Sequence, residues 1–111
     1  MSILDVEVKE NGAVAILALS GELDISGIGR VEQELHQVEE KAPAAVVLDL
    51  RGLTFMDSSG LRLVLEADMR ARREARRFAI VPGPESVHRV FLIALLDKRL
   101  EFVEDPSQVT A

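Results

Sequence analysis

The chain has 111 residues, of which 48% are hydrophobic and 29% charged, with a formal net charge of −6 and no cysteine. That length supports one domain (residues 1–111) with its own core, and that composition excludes a disordered chain, a disulfide framework and thiolate chemistry. The acidic balance argues against general affinity for nucleic acid. No apolar run reaches the ~20 residues of a membrane helix, and the N-terminal stretch lacks a signal-peptide core, so a cytoplasmic protein with no membrane partner is expected.

Leu4, Val6 and Val8 alternate with Asp5, Glu7 and Lys9, the period-two pattern of a half-buried strand. Asn11-Gly12 predicts a tight hairpin turn, and the wholly apolar residues 13–19 predict a more central second strand. Gly21-Glu22-Leu23-Asp24 breaks that strand. Asp24 or Ser26 then caps a helix in which Ile28, Val31, Leu35 and Val38 share one face, with Pro43 at its exit.

Residues 45–50 form the third strand and residues 52–57 a loop, after which a second helix opens at Ser58 and Ser59. Leu61, Val64, Ala67, Ala71 and Ala75 make a row of mostly small residues that lets this helix sit close to a sheet. Leu65 and Met69 point away from that row, toward Arg62, Arg72 and Arg76. They either close the rim of the core or form an apolar anchor ringed by arginines, a composition favoured at interfaces. Arg70, Arg72, Arg73, Arg76 and Arg77 are interspersed with acids at helical spacing, the pattern of a solvated, ion-paired face; a docking patch for an acidic partner is the alternative. With no Tyr or Trp to stack bases, single-stranded nucleic acid is disfavoured as well.

Residues 78–81 read as a fourth strand, ended by Pro82-Gly83-Pro84. A third helix over residues 85–96 carries Val87, Val90, Phe91 and Ala94 on one side, and residues 100–103 alternate weakly as a last strand. The order ββαβαβαβ defines an α/β fold, a mixed sheet with helices packed against it through right-handed crossovers. Functional loops of parallel sheets gather beyond the carboxyl ends of the strands. That rule puts residues 21–24, Asp57-Ser58 and residues 82–84 on one edge.

The chemistry concentrates in Asp57-Ser58-Ser59-Gly60. A hydroxyl at a helix start either caps the unpaired N–H groups or offers a place where a phosphate is tolerated. Gly60 so early in a helix costs about 1 kcal/mol relative to Ala, which suits close backbone approach by another molecule. Phosphate on Ser58 would add about −1.5 to −2 charges beside Asp57 and near Asp24, repelling a partner that accepts the neutral hydroxyl. A catalytic use of Ser58 with His88 and Asp97 lacks the Gly-x-Ser-x-Gly turn, and His88 and His36 fall on polar helix sides. No metal-ligand spacing is present. A non-enzyme without metal or cofactor is expected.

Gly21-Glu-Leu-Asp24, Val47-Leu-Asp-Leu50, Phe55-Met-Asp-Ser-Ser-Gly-Leu61 and Val81-Pro-Gly-Pro84 together resemble a STAS domain, and most closely the bacterial anti-sigma factor antagonists. The resemblance covers nearly the whole chain. It implies that Ser58, directly after the aspartate, is phosphorylated by an anti-sigma factor that is itself a serine kinase of the histidine-kinase-like ATPase fold. It implies further that the unphosphorylated form binds this kinase and frees the sigma factor, and that a protein phosphatase resets the switch. By the resemblance Asp57 and Ser59 flank Ser58, with Asp24 on the neighbouring loop; Gly60, Arg62, Leu65 and Met69 join the expected partner surface from the reading of the residues alone. The alternative within the same family is a non-phosphorylated STAS adaptor in a transporter or stress-signalling complex. Two departures concern the C-terminal part: Leu95 stands where the family often has Gly, and residues 106–111 replace a final amphipathic helix.

Overall fold

A computed structural model describes residues 3–110. Its elements follow the expected order: β1 (Leu4–Asn11), β2 (Val14–Leu23), α1 (Ile25–Glu40), β3 (Ala45–Met56), α2 (Ser58–Arg73), β4 (Arg77–Val81), α3 (Glu85–Ile93), β5 (Glu101–Phe102) and a short 3-10 turn (Pro106–Gln108). The five strands lie in one mixed sheet in sequence order. β1 runs antiparallel to β2 and all other pairings are parallel. Because each crossover steps in the same direction, a constant handedness brings the helices to one face.

Strand alternation divides the apolar residues between two layers. Leu17, Leu19, Val46, Leu48, Leu50 and Ile80 meet Val31, Leu35, Val64, Ala67, Val87 and Phe91 of the helices in the main core. Val14, Ala45, Val47, Ala79 and Val81 line the opposite face, which is closed by Val109 together with the half-buried Ile16 and Val103. The tail after β5 is therefore a structural cover. Arg51 holds it there by pairing with Asp49 at 2.8 Å and with Asp105 at 3.5 Å.

The strands are longer than expected. β2 continues through Gly21 to Leu23, and β3 continues through the predicted 52–57 loop to Met56. Two register shifts, between Ala18 and Ser20 and between Gly21 and Glu22, let the pair bend without parting. Glycine makes this possible. A side chain at Gly21 (φ +95°) would strike the Ile3 carbonyl, and one at Gly52 would press on the β2 backbone at Leu19. Hairpin residues Gly12 and Ala13, rather than Asn11 and Gly12, occupy the turn, since Asn11 still pairs with Val14.

α3 stops at Ile93, short of the expected Leu96. Leu95 enters the left-handed region at φ +60°, with its N–H on the Leu92 carbonyl and that of Leu96 on the Phe91 carbonyl. This is the Schellman helix stop, and its pivot ordinarily calls for glycine. Ala75, expected on the buried row of α2, instead sits exposed past that helix's end at φ +54°. Leu61 is half-buried while Leu63 is buried, so the buried stripe of α2 is Gly60, Leu63, Val64, Ala67, Asp68 and Ala71. The last strand shrinks to two residues, although the Val103 N–H still reaches Ile80.

Candidate functional site

The carboxyl ends of β2 and β3 stand side by side. Glu22 pairs with Phe55 and Leu23 with Met56, and the Asp57 N–H then donates to the Leu23 carbonyl at 3.4 Å. Each strand turns directly into a helix through an aspartate N-cap. Asp24 accepts from the Ser26 N–H at 3.0 Å and from its hydroxyl at 2.6 Å. Asp57 accepts from the Ser59 N–H at 2.9 Å and from the Ser59 hydroxyl. The two turns are thus the same device, Asp-x-Ser-Gly, with Ile25 and Ser58 at the variable position. Asp24 rather than Ser26 caps α1, and Asp57 rather than either serine caps α2.

This geometry separates the two serines. Ser59 is half-buried and commits its hydroxyl proton to Asp57. Ser58, at the first helical position, is exposed, and its hydroxyl makes no hydrogen bond among the described residues. Its oxygen is the accessible hydroxyl of the pair. The Ser59 hydroxyl is also the main cause that holds the Asp57 carboxyl below the usual carboxylate range; partial burial opposes it and backbone N–H bonds add to it. The site therefore keeps a fixed negative charge beside a neutral hydroxyl.

The remaining expected site residues divide between core and surface. Gly60 is buried, and a β-carbon there would lie 2.5 Å from Met56 Cγ and 3.1 Å from Leu23, so the molecule's own core makes the close approach. Leu65 is half-buried against the core. Met69 is 56% exposed on the outer side of α2, and Arg62 is solvent-exposed in a long 3.7 Å pair with Glu66. Most of the arginine run is engaged within the molecule. Arg70 pairs with Glu39 at 3.0 Å, Arg72 with Asp68 at 2.9 Å, Arg76 donates to the Pro43 carbonyl, and Arg77 pairs with Glu101.

Residues 82–84 belong to the same sheet edge but lie well back from Ser58. β4 stops pairing at Val81, opposite Asp49, while β3 runs on to Met56, and Gly83 sits against the Leu50 carbonyl. His88 is not on a polar surface. Its ring packs edge-on to Phe102 with centroids 4.9 Å apart, and its buried Nδ1 has no hydrogen-bond partner among the described residues. His36 is exposed, as expected. Sequence reasoning passed over Ile25 and Phe55, which are 81% and 46% exposed on either side of the two caps. The repeated Asp-x-Ser-Gly pattern was the available signal. Among the described residues no cluster of His, Cys, Asp and Glu could hold a metal ion, and no helix is long and apolar enough to cross a membrane.

A mixed five-stranded sheet covered by helices, with a pair of aspartate-capped helix starts at one edge, is the architecture of a STAS domain. A family model described as "Mlab, STAS domain" matches residues 6–104, and the chain belongs to this family. Its relatives include the anti-sigma-F factor antagonist RsfB of Mycobacterium tuberculosis, 28% identical over 95 residues that span 86% of this chain and 77% of that protein. The anti-sigma F factor antagonist of Paenibacillus polymyxa is 31% identical over 88 residues, 78% of this chain and 75% of that protein. Among solved structures, unphosphorylated SpoIIAA superposes with a TM-score of 0.80 at 21% identity, over 94% of this chain and 92% of the other. SpoIIAA of Bacillus in its phosphorylated form gives 0.74 at 19%, over 94% and 96%.

Proposed function

We propose that this protein is an anti-sigma factor antagonist whose unphosphorylated form binds an anti-sigma factor serine kinase and is released when Ser58 is phosphorylated. The carrying observation is the split between the serines, with Ser58 exposed and unbonded and Ser59 tied to Asp57. Two relatives named as anti-sigma-F or anti-sigma F factor antagonists support the class of function. In the phosphoryl step the Ser58 oxygen bonds to the γ-phosphorus of ATP and the bond to the β-phosphate oxygen breaks. ADP leaves, and the hydroxyl proton passes to a base supplied by the kinase.

Added charge at Ser58 lies beside Asp57 and, across the paired strand ends, near Asp24. None of the three carboxylates Glu22, Asp24 and Asp57 has a cationic partner among the described residues within ion-pair distance. A phosphate there sits exposed at the positive dipole end of α2, so the domain tolerates it while a complementary partner does not. The role is regulatory rather than catalytic, and a phosphatase is required to reset it.

The test is incubation with the histidine-kinase-like ATPase-fold serine kinases of its own organism and ATP, followed by intact-mass and fragment analysis. One phosphate on Ser58, absent from Ser58→Ala, is expected. Phosphate on Ser59 alone would overturn the assignment.

A further inference from the structure

We propose that Ile25, seconded by Phe55, is the apolar contact that selects the partner at the Ser58 edge, and that its occupant is an apolar pocket rimmed by basic residues on the anti-sigma factor kinase. This rests on the function proposed above.

The duplicated caps carry the inference. Asp24-Ile25-Ser26-Gly27 and Asp57-Ser58-Ser59-Gly60 make the same two hydrogen bonds to the aspartate from the serine two residues on, so Ile25 stands in α1 where Ser58 stands in α2. The paired ends of β2 and β3 fix both positions on one rigid edge. A first-turn position needs no apolar residue for folding, and Ile25 contributes little to the core at 81% exposure. Phe55, two residues before the Asp57 cap, remains 46% exposed although it lies within a strand, in register with Glu22. A lone exposed apolar residue needs no explanation, but two at the paired strand ends that lead into the caps leave apolar surface on the edge that carries the free hydroxyl.

Charge identifies the occupant. The rim is formed by Glu22, Asp24 and Asp57, which have no ion pair among the described residues. An apolar centre with an acidic rim is complementary to a basic protein surface and repels nucleic acid. Rim charges chiefly steer encounter, whereas a central apolar side chain filling a pocket discriminates between partners. Phosphate on Ser58 would then change the charge of a contact whose selectivity resides next door.

Calorimetry and thermal unfolding of four proteins test this: wild type, Ile25→Ser, Phe55→Ser and Ser58→Asp, each titrated with the purified ATPase-fold serine kinases of its own organism in the presence of ADP. Ile25→Ser reproduces the chemistry of the other cap, so unchanged melting is expected together with at least a tenfold loss of affinity for the kinase that binds wild type. Phe55→Ser should lose less. Wild-type affinity in Ile25→Ser, with Ser58→Asp weakened, would overturn this proposal and leave the proposed function standing. Absence of binding by wild type to any of these kinases would overturn both.

Discussion

At the scale of single residues, the cap of α2 combines two jobs in adjacent serines. Ser59 gives its hydroxyl to Asp57 and lowers that carboxyl's affinity for protons; Ser58 keeps its oxygen free. A carboxyl whose folded pKa is depressed binds fewer protons than in the unfolded chain, where about 3.9 is usual. Its contribution to stability is therefore fully present above that unfolded value and is lost as pH falls through the lower folded one. Denaturant midpoints of wild type should decline below about pH 4. In Ser59→Ala the Asp57 share of that decline should shrink, because the main cause of the depression is gone. An identical pH profile in the two proteins would show that the Ser59 hydroxyl does not hold the charge.

At the scale of elements, each helix ends on a non-glycine residue in the left-handed region: Ala42, Ala75 and Leu95. Side chains with a β-carbon lose about 1–2 kcal/mol there. Leu95 is 81% exposed and has little packing to lose. Leu95→Gly should stabilise the protein by about 1 kcal/mol, or roughly 4 °C in melting temperature for a domain of this size. A lower melting temperature would mean that the Leu95 side chain supports the α3 exit.

The outer face of α2 yields a separate expectation. Met69 is exposed and Leu65 only half-buried, so Met69→Ala should change stability by no more than about 0.5 kcal/mol, whereas burial would have cost roughly 2–5. If Met69 anchors the kinase, affinity falls in the same mutant, which calorimetry reads directly. Unchanged affinity would confine the docking surface to the Ser58 edge. The arginines beside Met69 are weaker candidates than their number suggests, since Arg70 and Arg72 are held by Glu39 and Asp68.

At the scale of the whole molecule, the sheet has two faces to cover and helices for only one. Val109 buries itself against Val47, Ala79 and Val81 on the other, and Asp105 is secured to Arg51. Val109→Ala should cost about 1–3 kcal/mol and increase binding of an apolar dye, because removing that side chain opens the layer to water. No loss of stability would show that the tail merely rests on the sheet.

How much was legible from the residues alone follows from the range of the interactions involved. Alternation in β1, the apolar run of residues 45–50, the α1 stripe of Val31, Leu35 and Val38, and Asp-Ser-Ser-Gly ahead of α2 are local signals. They sufficed for the element order and the mixed sheet, while the choice of Ser58 over Ser59 came from the family resemblance. Strand lengths past Leu19 and Leu50 were not legible, since they depend on bulged pairing between segments some 30 residues apart, and glycines that read as breaks are the means of close approach. Gly60 misled for the same reason: the contact that forbids a side chain comes from Met56 and Leu23. His88 looked polar on a helical wheel because nothing in its own helix announces Phe102. The sequence by itself determined which chemistry is available, a serine between an aspartate and a helix. Only the tertiary structure decided which hydroxyl is free, which apolar residues remain outside and what closes the second face of the sheet, because exposure and hydrogen-bond competition belong to surfaces assembled from distant parts of the chain.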